Sequence, residues 1–170
     1  MKARAEQHGE SRKAQAARGF SLIELLIVVA VILIIAAIAI PNFVRSKMRA
    51  NEASAVSSLR SITTAEVVYS TTYNVGYSPT LASLGGTGAV INQTNAGLID
   101  SVLSSGSKSG FTFTYAATSS DSNGNILTYT CNADPSLVGT TGDDHYFVDQ
   151  TSIIRINQTT VAGPNDTPVN

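Results

Sequence analysis

From Phe20 to Ile40 the only polar side chains are Ser21 and Glu24, and the run Leu25 to Ile40 carries none at all. At about 1.5 Å per residue these residues predict a helical rod of roughly 31 Å, close to the hydrocarbon thickness of a bilayer, about 30 Å. A membrane span is therefore expected over 20–40. Beyond Pro41 the pattern becomes amphipathic: Met48, Ala55, Ile62 and Tyr69 recur every seven residues, with Val56 and Leu59 beside them, while Arg49, Glu52, Ser57, Arg60 and Thr64 fall largely elsewhere. Glycine and further proline are absent until Gly76, so one helix from about Phe20 to Thr72 is predicted, with Pro41 as a kink that loosens it without ending it.

Period-two alternation takes over after a loop region. Phe111, Phe113 and Tyr115 alternate with threonines, and further strands are expected over Ile126–Cys131, His145–Val148 and Ser152–Ile156. Asp121 to Asn125 and Asp149-Gln150-Thr151 supply the turn chemistry between them. Between helix and sheet, 73–109 reads as a loop with a short helix over Ala96–Ser104, capped by Asn95 and stopped by Gly106. The reading is an α+β chain: a long helix packed on a roughly four-stranded antiparallel sheet over 110–157, then a loose tail over 158–170. Its length fits one domain, 41–170, plus the appended span.

Glu24 is out of place in an apolar run. A carboxylate inside a span costs about 2.5 to 3.5 kcal/mol on insertion scales, so a partner is expected. A cut between Gly19 and Phe20 would create an α-amino group one helical turn before Glu24, in the same chain or a packed neighbour.

Charge fixes the expected topology. Residues 1–19 hold Lys2, Arg4, Arg12, Lys13 and Arg18 against Glu6 and Glu10, a net +3, whereas the remaining residues have six basic and ten acidic side chains, a net −4. A basic segment before a span favours a cytoplasmic N-terminus and an exported C-terminal part. Arg45, Lys47 and Arg49 after the span oppose this, but they are fewer. The acidic remainder argues against general nucleic-acid binding. An ordinary secretory signal cleaved after Ala37-Ile38-Ala39 is the competing reading, disfavoured by the length of the run, its carboxylate and Pro41.

The basic leader, Gly19 at the cut, Phe20 as the new first residue, Glu24 within the span and Pro41 at its end resemble the type IV pilins and pseudopilins, strongly over 18 to about 60. The resemblance implies a leader, 1–19, removed by a prepilin peptidase, methylation of the Phe20 amine, and pairing of Glu24 with the amine of a neighbouring subunit. It implies a single-pass inner-membrane precursor that the pilus assembly machinery builds, with other copies and other pilins, into a surface filament. Such a chain is a substrate of enzymes and not itself an enzyme. A type II secretion pseudopilin or a competence-type pilin fits the same residues.

Little else in the chain offers chemistry. Gly85-Gly86-Thr87-Gly88 lacks a phosphate-loop context. Cys131 and His145 could form a nucleophile and base pair, but a buried strand cysteine is the simpler reading. One cysteine also precludes the disulfide that closes a C-terminal loop in many members of the resembling family. The corresponding loop, Asp134 to Asp144, must then be held by packing, hydrogen bonds or a metal; Asp134, Asp143 and Asp144 offer oxygen ligands for calcium on analogy with calcium-binding pseudopilins, but solvated turn acids are the simpler reading and no cofactor is expected. Asn92-Gln93-Thr94 and Asn157-Gln158-Thr159 match the glycosylation tripeptide, but in a chain resembling bacterial prepilins they read as chance polar loops.

Overall fold

The computed structural model describes residues 19–86 and 90–169; the leader up to Arg18, with its basic residues, lies outside them. Two compact units divide between Ile40 and Pro41. The helix α1 (Leu22–Tyr73) contributes to both and runs through Pro41 without interruption. In the first unit its side chains cover nothing: Leu22, Ile23 and the leucines, isoleucines and valines through Ile40 are exposed.

The second unit lays the amphipathic part of α1 against an antiparallel sheet. Among the described residues six strands stand in sequential order: β1 (Ser107–Lys108), β2 (Phe111–Ser120), β3 (Ile126–Pro135), β4 (His145–Asp149), β5 (Arg155–Asn157) and β6 (Thr167–Pro168). The count is six where the alternation predicted about four, because β1, β5 and β6 are too short to show a pattern. Ser152 adopts a left-handed φ of 61°, which delays the strand expected from 152 until Arg155. The tail expected to be loose is partly packed: it supplies β6, buries Ala162 and accepts a hydrogen bond from Asn132 Nδ2 at the Ala162 carbonyl, 2.7 Å.

Ala55, Leu59, Ile62 and Tyr69 of α1 meet Phe111 and Phe113 of β2, Cys131 and Ala133 of β3, and Tyr146 and Val148 of β4 in one core. Burying a side chain such as Leu59 or Ile62 contributes about 1.5 to 3 kcal/mol. Between helix and sheet, α2 (Leu81–Leu84) is capped by Thr80, and α3 (Ser101–Ser104) is capped by Asp100, whose Oδ1 accepts from Leu103 N–H at 3.0 Å. The short helix is thus shorter than the expected 96–104 and has a different cap. Asp100 wins because its carboxylate reaches the N3 amide, while Ala96 to Ile99 spend their amides on carbonyls of Ser83, Leu84 and Gly85.

The end of α1 is stitched to the sheet. Asn74 takes a left-handed φ of 53° and closes the helix on the Ser70 carbonyl. Gly76 follows at φ 76°, where a Cβ would strike the Ile126 carbonyl. Tyr77 N–H donates to that same carbonyl at 2.9 Å, so glycine is what lets the two backbones approach.

Candidate functional site

The helix begins with a local device. Ser21 occupies the N-cap of α1 and Glu24 the third helical position, and the Ser21 amide donates to Glu24 Oε2 at 2.9 Å. The Ser21 carbonyl accepts from Leu25 N–H at 3.2 Å. This is the glutamate half of a capping box, in which a carboxylate satisfies an amide that no earlier turn can reach. Glu24 therefore has an intrachain partner, a backbone amide and not the terminal amine expected from sequence. The Ser-x-x-Glu spacing before an apolar run was the available signal.

Phe20 is exposed, and around Gly19 a Cβ would find nothing within 4 Å. The fold places no demand on glycine at 19. Whatever requires it there must come from outside the chain. From Leu22 to Ile40 the helix offers an apolar surface with no protein cover, and none of its most apolar window is buried.

The loop 134–144, lacking a disulfide, is held by one turn of α1. Glu52 is only 3% exposed; its Oε1 accepts from Asp143 N–H at 2.9 Å and its Oε2 accepts from Arg49 Nη1 at 2.7 Å. The same Arg49 nitrogen donates to Asp144 Oδ2 at 3.0 Å, and Asn51 Nδ2 donates to the Thr141 carbonyl at 2.8 Å. Gly142 passes so close to the Phe111 ring that a Cβ would lie 2.6 Å from it. Hydrogen bonds and packing are thus the means by which this loop is fixed.

Two of the three acids of this loop, Asp134 and Asp144, have side-chain partners of their own. Asp134 Oδ1 sits 2.6 Å from His145 Nδ1, Asp144 is committed to Arg49, and no group of three metal-ligating side chains forms among the described residues. Nor do Cys131 and His145 meet: the β3–β4 register sets Val148 opposite Cys131. Burial pushes the Cys131 thiol up to about 12, which keeps it protonated and poorly nucleophilic. Asn92 and Asn157 each accept from the threonine two residues on, the turn chemistry of a polar loop.

Removing the clamp has a definite expected cost. Glu52→Ala deprives a buried amide and a guanidinium of their acceptor and should lower unfolding free energy by about 2 kcal/mol. Arg49→Gln should cost less, because its side chain is 67% exposed and solvent screens the pair. Chemical denaturation of both variants checks the order; equal effects would show that the exposed pair, not the buried acceptor, holds the loop.

Against known proteins, residues 15–40 match the family described as the prokaryotic N-terminal methylation motif. The match takes in Gly19, Phe20 and Glu24 and ends where the first unit ends. The chain is also similar to the type IV major pilin protein PilA of Myxococcus xanthus, 53% identical over 49 residues, which is 29% of this chain and 22% of that protein. A second relative, the type IV wide pilus major component PilA4 of Thermus thermophilus, is 58% identical over 36 residues, 21% of this chain and 28% of the relative. The matched stretches span under a third of either relative.

Proposed function

We propose that this chain is a structural subunit of a type IV pilus. It enters the inner membrane as a single-pass precursor with its leader in the cytoplasm, a prepilin peptidase cuts after Gly19 and methylates the amine of Phe20, and the assembly machinery moves the subunit into a filament of like chains and other pilins. The observation that carries this reading is the methylation motif running without interruption into a helix whose apolar surface the chain leaves uncovered. Lipid before assembly and identical helices afterwards are both apolar, so one surface serves both states. The two relatives, both named as major pilus components, favour a pilus over a secretion pseudopilus.

Processing gives the test. A side chain at 19 meets no obstacle within the fold, so Gly19→Val should leave the protein folded and inserted while blocking a peptidase that must approach the backbone closely. Full-length precursor should accumulate in the membrane fraction, and N-terminal sequencing of the parent chain should begin at methylated Phe20. Normal processing of the variant, or a mature N-terminus at Ile40, would remove the assignment.

A further inference from the structure

Two adjoining hollows lie at the end of α1. The more enclosed, about 270 Å³, is lined by Tyr69, Tyr77, Gln93, Thr94, Asn123 and Asn125 among others. The more open, about 480 Å³, is lined by Tyr73, Ile91, Asn92, Gln93 and Thr94, so Gln93 and Thr94 belong to both. Among the described residues no charged side chain and no histidine lines either one. The walls are fixed by bonds within the chain. Tyr69, 1% exposed, donates its hydroxyl to the Gln93 carbonyl at 2.8 Å and so fastens that segment to the helix. Asn92 and Asn95 exchange backbone hydrogen bonds at 3.2 and 3.1 Å, and the Asp121 carboxylate accepts from the Asn123 and Asn125 amides, each at 2.8 Å. With these backbone groups engaged, a guest strand finds no run of free donors and acceptors to join.

The side chains are left to do the recognising. Among the described residues the carboxamides of Gln93 and Asn123 and the hydroxyls of Tyr73 and Tyr77 have no hydrogen-bond partner within the chain. The rings of Tyr73 and Tyr77 are half-buried, and each meets one neighbouring ring at a steep angle, 58° to Tyr69 and 69° to Tyr129, so no parallel ring covers either. Charge and polarity then select the guest. Phosphates and carboxylates call for a guanidinium or ammonium, and the lining has none. A wholly apolar guest would strip water from the carboxamides and hydroxyls and pair with none of them. An uncharged sugar meets both conditions. Its neighbouring hydroxyls donate and accept together, as a carboxamide does, and the C–H face of a pyranose ring packs against an aromatic ring.

We propose that these two hollows bind a short uncharged oligosaccharide, with pyranose faces on Tyr73 and Tyr77 and sugar hydroxyls on the carboxamides of Gln93 and Asn123. Every residue involved lies in the second unit. The site needs neither the span nor the filament, so it stands or falls apart from the pilus reading.

The test is calorimetric titration of the full chain, held in a detergent without a sugar headgroup. The probes are the neutral tetrasaccharides of α-linked glucose, β-linked glucose, β-linked mannose and β-linked N-acetylglucosamine, then anionic tetragalacturonate, then a proline-rich peptide. At least one neutral tetrasaccharide should bind with a Kd on the order of a millimolar or below, tighter than both tetragalacturonate and the peptide. Gln93→Ala removes an exposed carboxamide and leaves the backbone bond to Tyr69, so it should weaken that sugar about fivefold with the melting temperature unchanged. Tyr77→Ala should weaken it about tenfold. Tyr77→Phe keeps the ring against Tyr129 and should cost under about threefold, which assigns the larger loss to the ring face. No binding by any of the four neutral sugars, equal binding of tetragalacturonate or of the peptide, or an affinity indifferent to both Gln93→Ala and Tyr77→Ala overturns the proposal.

Discussion

Glu24→Ala should yield a chain that inserts, is cleaved and accumulates in the membrane, yet forms few or no filaments. Insertion does not need the carboxylate, and removing it makes the span cheaper by about 2.5 to 3.5 kcal/mol on insertion scales. In the proposed filament, assembly would bring the cationic amine of Phe20 into an apolar core, where an unpaired charge costs about 3 to 5 kcal/mol. The capping bond from Ser21 complicates this, because alanine also removes an acceptor for the Ser21 amide. A lost cap costs about 1 kcal/mol, small for a helix of 52 residues. Glu24→Gln separates the roles: the amide oxygen can still cap Ser21 but has no charge to pair with an amine. If charge pairing governs assembly, glutamine fails nearly as badly as alanine. If glutamine restores abundant filaments, Glu24 acts as a cap. Sheared surface filaments seen by microscopy, beside a membrane-fraction blot in a strain without other major pilins, give the readout.

The long helix was legible because nothing between Phe20 and Val75 could end it apart from Pro41, and the helix runs through that proline. The apolar surface of its first part was equally open to reading. What sequence reading missed lay inside the buried stripe itself. Met48, Glu52, Ala55, Leu59, Ile62, Glu66 and Tyr69 alternate spacings of four and three and are all buried. The apolar members alone marked the face, so Glu52 was assigned elsewhere and Glu66 was not considered. A carboxylate on the period of a buried face is a signal that a distant amide or hydroxyl must come to meet it. Here Asp143 meets one and Ser78 the other, across separations of 91 and 12 residues that no local pattern encodes. The small strands escaped for a related reason: β1, β5 and β6, of two or three residues, exist through pairing with longer neighbours and carry no alternation of their own.

Glu66 should show its burial as a pH dependence of stability. Its carboxylate is 0% exposed and accepts from the Ser78 amide at 2.8 Å and the Ser78 hydroxyl at 2.6 Å. The Ser78 carbonyl in turn accepts from the Tyr115 hydroxyl at 2.8 Å, so one carboxylate ties the segment after α1 to both helix and sheet. No cation pairs with it among the described residues. Burial raises its pKa above the ordinary 4.5, and the bonds from Ser78 offset this only in part. A group whose folded pKa lies above its unfolded value favours the folded state fully below the unfolded pKa. That contribution fades as pH climbs through the folded value, because the native state must then hold a buried charge. Asp100 and Asp121 have depressed pKa values and slope the other way, but only around and below their ordinary 3.8. Comparison with a variant that cannot ionise at 66 therefore isolates the Glu66 contribution above about pH 5. Glu66→Gln keeps an acceptor for the Ser78 amide and cannot ionise. Its melting temperature relative to the parent should improve as pH rises from about 5 and level off once the native carboxylate is ionised. Glu66→Ala should cost about 3 to 5 kcal/mol at acid pH, since it opens a cavity and strands two donors of Ser78, and the cost should shrink as rising pH weakens the parent. A parent and glutamine variant whose melting curves shift in parallel across that window would show that Glu66 is ionised at no net cost, its charge fully met by Ser78.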